Sequence, residues 1–200
     1  MKPTKEFLLP GSERWPVILI GPGTGVAPFV GFLEHRERQR RKREEAKDSV
    51  CAGLWRGGLE LELDGEDDEA GAFHRLEGRG DMWLFFGCRH QDQDWIFRED
   101  MERFLRQGTL TQLVTAFSRA GPQKVYVQDR MAEWGDRLAR LVLEQGAYVY
   151  VCGDGNAMAQ GVHSALLSIL ERNGGLPREE AVRTLQDMKE RNRYVLDVWS

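Results

Sequence analysis

The chain has only three cysteines in 200 residues, Cys51, Cys88 and Cys152, and no Cys-x-x-Cys pair. An odd, unpaired set argues against a disulfide framework, and no metal site is expected. Cys88 and Cys152 close apolar runs, where free buried thiols are ordinary; a reducing compartment, and so a cytoplasmic location, is the expectation. Long apolar runs are lacking too: none approaches the roughly 20 residues that a membrane-spanning helix needs. The opening residues, with Lys2, Lys5 and Glu6, do not form a secretory leader. Positive charge is not in excess, since 28 Lys and Arg stand against 32 Asp and Glu for a formal net charge of -4. Nucleic acid or an anionic membrane surface is therefore not expected as the main partner.

Periodicity is missing between Arg41 and Gly80, where scattered glycines surround the acidic run Glu60 to Glu69. That composition buries little, and residues 42–80 are expected to be a charged, disordered insertion. The basic cluster Arg40-Arg41-Lys42-Arg43 is expected to be the solvated end of a helix.

What is present starts with Val17-Ile18-Leu19-Ile20, an apolar run that breaks into Gly21-Pro22-Gly23-Thr24-Gly25 and then opens a helix at Val26-Ala27-Pro28-Phe29. Four branched apolar residues suit a strand buried on both faces, as in a parallel sheet. Glycines after it let the backbone turn closely beside a ligand, and the following helix points free N–H groups into that turn. The pattern alone is equally that of a structural strand-to-helix turn. No Gly-Lys-Ser/Thr follows the glycines, which disfavours a P-loop nucleotidase or kinase.

Further strands are expected at Met82–Cys88, Gln112–Phe117, Tyr148–Cys152 and at the closing Tyr194-Val195-Leu196-Asp197-Val198-Trp199-Ser200. Helices are expected from Phe29 to about Arg41, Asp94 to Gln107, Tyr126 or Val127 to Gln145, 156–172 and 178–191. Strands alternating with helices imply an α/β fold, a five-stranded parallel sheet with helices on both faces, occupying residues 16–200. Ligands of such sheets gather at the carboxyl ends of the strands. Those ends carry the glycine turn, Gly87-Cys88-Arg89, Ser118-Arg119 and Cys152-Gly153-Asp154. The acid that usually holds a ribose 2′-hydroxyl, about 20 residues after the glycines, has no strand end here to sit on. Ser118, Arg119, Lys124 and Tyr126 instead form a compact donor set suited to a 2′-phosphate, which selects NADPH.

These motifs, with Lys124-Val125-Tyr126-Val127-Gln128, Met158-Ala159 and the terminal Asp197-Val198-Trp199-Ser200, resemble the NADP-binding half of the ferredoxin reductase-like module in diflavin reductases. That group holds NADPH–cytochrome P450 reductase, the nitric oxide synthase reductase region and methionine synthase reductase. Met82 to His90 with Asp94, and the helix Gly31 to Glu37, resemble the methionine synthase reductase branch most; the contiguous Lys124 to Gln128 is closer to the P450 reductase.

The resemblance implies that Gly23, Thr24 and Gly25 line a pyrophosphate and that Arg89 lies near the nucleotide. It implies that Ser118, Arg119, Lys124, Tyr126 and Gln128 hold the 2′-phosphate and adenosine, with Asp154 and Met158 lining the same pocket. Cys152 and Asp197 would flank the nicotinamide, and Trp199 would cover the flavin ring. The implied activity is hydride transfer from NADPH to FAD, onward through FMN to a haem or cobalamin protein, with methionine synthase the expected acceptor and a P450 reductase-like role the alternative. FAD is held mainly by a separate β-barrel in the family, and FMN by a further domain. Residues 1–15 therefore read as the exit from such a barrel, and the chain as the C-terminal part of a longer protein. Without the resemblance, a non-catalytic nucleotide-binding interaction module is the competing reading. Cys152, Asp197 and Trp199 together favour the enzyme.

Overall fold

The four residues of β1 (Val17–Ile20) are wholly buried, and a strand with no exposed residue has to lie inside a sheet covered on both sides. The computed structural model, which describes residues 7–54 and 78–199, places it there. The other strands are β2 (Met82–Cys88), β3 (Gln112–Phe117), β4 (Tyr148–Asp154) and β5 (Tyr194–Trp199), and the sheet runs β3-β2-β1-β4-β5 with every pair parallel. The expected five-stranded parallel α/β architecture is what the chain adopts.

Alternation along the strands divides the core in two. Ile18, Ile20, Phe85, Val149 and Val151 face α3 (Val127–Glu133), α4 (Gly135–Leu143), α5 (Asn156–Arg172) and α6 (Arg178–Glu190). Val17, Leu19, Leu84, Phe86 and Tyr150 face α1 (Ala27–Leu54) and α2 (Arg98–Arg106). Each fully buried Leu, Ile or Val contributes about 1.5–3 kcal/mol relative to exposure, and every residue of β1 is of this kind.

Several boundaries differ from the sequence expectation. The helix expected to end near Arg41 continues to Leu54, so 42–54 is helical; residues 55–77 of the expected insertion lie outside the described residues. Nor is the basic cluster merely solvated. Arg40 donates to the Gln107 carbonyl at 2.8 Å, and Arg43 pairs with the buried Glu13 at 2.6 Å. Glu37, also buried, takes Arg41 at 2.8 Å and Arg103 of α2 at 2.6 Å, so charged groups tie α1 to its neighbours. The second helix begins only at Arg98, after a turn that ends in left-handed Phe97 at φ 56°. The single helix expected over 126–145 breaks at Trp134, where the indole turns edge-on to Trp83 with centroids 5.0 Å apart. Gly135 then lies against Asn173, whose amide donates to Asp136 at 2.8 Å.

Residues 7–16 form a strap on the α1 side. Phe7 packs against Phe29, Phe32 and Tyr150, and the Tyr150 hydroxyl donates to the Leu8 carbonyl at 2.5 Å. Among the described residues no helix is long and apolar enough to cross a membrane.

One buried titratable pair lies on the opposite side. His163 of α5 stacks on Tyr194 with centroids 5.9 Å apart and planes 7° off parallel, Lys189 of α6 lies over the Tyr194 ring, and His163 Nδ1 is buried without a hydrogen bond to any described residue. Burial first, and the Lys189 charge second, hold the imidazole below its usual pKa of 6.5. The unfolded chain therefore binds this proton more readily, and stability falls as pH drops through 6.5. Urea unfolding at neutral and mildly acidic pH should show that loss in the wild type and a smaller one in His163→Phe, which keeps the stack and removes the titration.

Candidate functional site

Because all five strands are parallel, their carboxyl ends meet at one edge, and the chain's order reverses at β1, which pairs with β2 on one side and β4 on the other. Such a reversal opens a crevice. The turn after β1 enters it through the 3₁₀ segment Gly23–Val26 before α1. Gly25 lies so close to β4 that a Cβ there would stand 2.0 Å from the Cys152 carbonyl oxygen. Gly23 takes φ +58°, a conformation side chains disfavour, and the space where its Cβ would stand is open.

Beside this turn lies a cleft of about 700 Å³, within the range of small-molecule sites. Gly23, Thr24, Arg89, Ser118, Tyr126, Gln128, Asp154 and Met158 all line it. β2 and β3 stay paired past their ends, with the Ser118 N–H donating to the Cys88 carbonyl at 2.9 Å and the Arg119 N–H to the Arg89 carbonyl at 3.0 Å. Ser118 and Arg89 are thereby held side by side. The Tyr126 N–H donates to the Asp129 carboxylate at 2.7 Å, which fixes the start of α3 and leaves the phenol 44% exposed. Gln128 rests against α5, where a Cβ on Gly161 would stand 3.3 Å from its amide nitrogen. Met158 covers Gly153. The N-terminal turn of the 17-residue α5 borders the cleft through Ala157 and Met158, next to Asp154 at the end of β4, and its dipole favours an anion there.

Arg89, Arg119 and Lys124 are exposed at this edge, and none of them makes an ion pair or a side-chain hydrogen bond with a described residue. Many arginines elsewhere are neutralised: Arg36, Arg41, Arg43, Arg98, Arg103, Arg130, Arg137 and Arg191 all pair with carboxylates. Arg89 and Arg119 are therefore not surface arginines paired with acids among the described residues. Arg119 and Lys124 stand beyond the cleft wall, and Gly25 beneath it.

Cys152, Asp197 and Trp199 lie apart from the cleft lining, on β4 and β5. Cys152 and Asp197 are register partners, as are Asp154 and Trp199. Cys152 and Trp199 belong to the core on the α1 side of the sheet. Burial, reinforced by the Asp197 carboxylate, pushes the Cys152 thiol up to about 12, so it is uncharged at neutral pH. The Gly155 N–H, just ahead of α5, donates to the Trp199 carbonyl at 2.8 Å. The two clusters thus share the β4 end as a common wall. Pro22, Gln93, Asp94 and Ile96 also line the cleft; the sequence pattern assigns them no role, although the polar turn after β2 at a carboxyl end is a signal for Gln93 and Asp94.

A dinucleotide fits this donor set: a glycine turn with room at Gly23, a helix N-terminus, unpaired cations, and a neutral thiol beside a carboxylate. No group of three or more His, Cys, Asp or Glu among the described residues is arranged to hold a metal ion.

Comparison with known proteins agrees with this geometry. The oxidoreductase NAD-binding domain family matches residues 19–164. Methionine synthase reductase of Rattus norvegicus is 40% identical over 204 residues, covering 98% of this chain and 25% of the relative. The Homo sapiens protein of that name is 38% identical over 203 residues, with the same coverage. NADPH–cytochrome P450 reductase of Cavia porcellus is 37% identical over 195 residues, covering 98% of this chain and 24% of the relative. The chain spans about a quarter of the length of these curated relatives.

The close approach at the glycine turn has a measurable cost. Gly25→Ala should destabilise the chain by about 3 kcal/mol or more, since backbone rather than a movable side chain is in the way. Gly23→Ala, with open space but a left-handed backbone, should cost only about 1–2 kcal/mol. Urea unfolding of the two variants separates them.

Proposed function

The chain belongs to the oxidoreductase NAD-binding domain family as the NADP-binding module of a diflavin reductase, and from that premise we propose that it docks NADPH along the carboxyl edge of its sheet and presents it to FAD. The observation that carries this reading is the set Arg89, Arg119 and Lys124, unpaired among the described residues beside Ser118 and Tyr126. Unpaired cations at a helix-rich edge repel one another until an anion arrives. In this reading Ser118, Arg119, Lys124 and Tyr126 hold the 2′-phosphate, Gln128 supports the adenosine, and Arg89 with the Gly23-Thr24-Gly25 turn takes the pyrophosphate. Asp154 and Met158 guide the nucleotide over the end of β4.

When bound, NADPH would supply a hydride from its nicotinamide ring for FAD, with FMN as the next electron carrier. This chain's part is orientation and electrostatics. The buried, neutral Cys152 thiol offers a small uncharged contact, so it adds no charge beside the nicotinamide and draws no water into the site. Asp197, its register partner, is placed to stabilise positive charge that grows as hydride leaves. Trp199, whose indole is half-buried at the edge of the sheet, stacks on the flavin and excludes solvent from it.

FAD and FMN would be held elsewhere in a longer protein, with the stretch up to residue 15 as the expected exit from an FAD barrel; residues 1–6 of it lie outside the described residues. The expected final acceptor is the cobalamin of methionine synthase, supported by the 38–40% identity to proteins named for reducing that enzyme. A haem acceptor like that of the P450 reductases is the second possibility, supported by the 37% relative.

Calorimetric titration of this chain should show NADPH binding with a clear preference over NADH. Arg119→Ala and Lys124→Ala should each weaken NADPH about tenfold and leave NADH unchanged, as expected for charge-assisted bonds to one phosphate. Equal binding of the two nucleotides, or of neither, overturns the reading. The same chain should purify without stoichiometric flavin, read as visible absorbance.

A further inference from the structure

The turn after β2 puts a carboxylate on the wall of a cleft otherwise equipped for anions. Asp94 lines the cleft together with Arg89. Its Oδ2 accepts the His90 N–H at 3.0 Å, and its own N–H donates to the His90 carbonyl, also at 3.0 Å. The Cys88 thiol donates to that same carbonyl at 3.3 Å. On the other side, the Arg89 carbonyl accepts the Arg119 N–H at 3.0 Å. The peptide unit joining Arg89 to His90 is therefore held at both ends, by β3 through its oxygen and by Asp94 through its nitrogen. Asp94 is anchored in turn by its neighbour Trp95, which stacks on Phe86 at 6.1 Å and packs against Phe117 at 5.4 Å.

The Arg89 side chain has no partner of its own among the described residues. With no side-chain partner to hold it, only its backbone sets the point from which it reaches. We infer that Asp94 is a positioning residue for the nucleotide: by accepting the His90 N–H it fixes the Arg89–His90 peptide and aims the Arg89 guanidinium into the cleft. The inference rests on the reading that a nucleotide occupies this cleft. A carboxylate acting there through its charge alone would repel phosphate, so its removal would tighten binding. A carboxylate acting through the backbone gives the opposite sign. Burial and the Asp94 charge both raise the pKa of the Cys88 thiol, which keeps its proton available for the His90 carbonyl.

Charge and position are separable by substitution. Asp94→Asn removes the charge and keeps an acceptor oxygen in place; Asp94→Glu keeps the charge and displaces the acceptor by one methylene. Titrated with NADPH by calorimetry, Asp94→Asn should bind within about threefold of wild type, while Asp94→Glu and Asp94→Ala should bind about tenfold more weakly. Arg89→Ala with Asp94→Ala should be no weaker than Arg89→Ala alone, because the carboxylate acts through that arginine. Amide exchange at His90 should remain slow in Asp94→Asn and become fast in Asp94→Glu. Tighter or unchanged binding by Asp94→Glu, losses that multiply in the double variant, or an Asp94→Asn as weak as Asp94→Glu would overturn the inference while wild-type binding stands. A wild-type chain that takes no NADPH overturns the functional reading itself.

Discussion

The contact on which the site depends is between two backbones. Gly25 lies directly against the Cys152 carbonyl, with no room for even one carbon between them. That approach brings the turn after β1 onto the end of β4 at the point where strand order reverses. The glycine turn and the start of α5 thereby border one cleft, while the Cys152–Asp197 pair stands just behind it. Any widening at Gly25 would separate the glycine turn from the end of β4 that carries Cys152 and Asp154. The fully buried β1 makes the arrangement stiff, because its four side chains are packed from both faces of the sheet.

Charge is distributed unequally over the molecule, and the inequality has a mechanical and a chemical side. Around α1 many charged groups hold the fold together. Glu13, Arg36 and Arg43 secure the N-terminal strap, while Glu37 and Arg103 join α1 to α2. Each of these pairs has a buried carboxylate, and truncating its partner would strand that charge in low dielectric. At the carboxyl edge the opposite holds. Arg89, Arg119 and Lys124 stand without acidic partners among the described residues, so the field they set up is available to a ligand rather than absorbed by the fold.

The architecture is legible in the sequence because strands buried on both faces announce themselves as continuous apolar runs, and Met82–Cys88 and Gln112–Phe117 are delimited to the residue. Most of the cleft is legible too, since parallel topology alone assembles whatever follows each strand. Legibility fails where tertiary contacts overrule local pattern. The extension of α1 past Arg41 depends in part on Arg40 and Arg43 reaching Gln107 and Glu13, partners remote in sequence. The break at Trp134 depends on Trp83 and Asn173. Asp94 is visible in the motif but silent, because a carboxylate that works by holding a peptide leaves no mark in composition or spacing.

The bond from the Gly155 N–H to the Trp199 carbonyl limits how the end of β5 can move. It fixes the main chain of Trp199 while leaving the indole free to turn about its own side-chain torsions. Displacement of that half-buried ring is then a side-chain rotamer change against the core on the α1 side, and not a peeling of the strand. An aromatic ring mounted on a fixed pivot can turn without any backbone rearrangement of the strand that carries it. Its timing would therefore be set by whatever stacks on the ring.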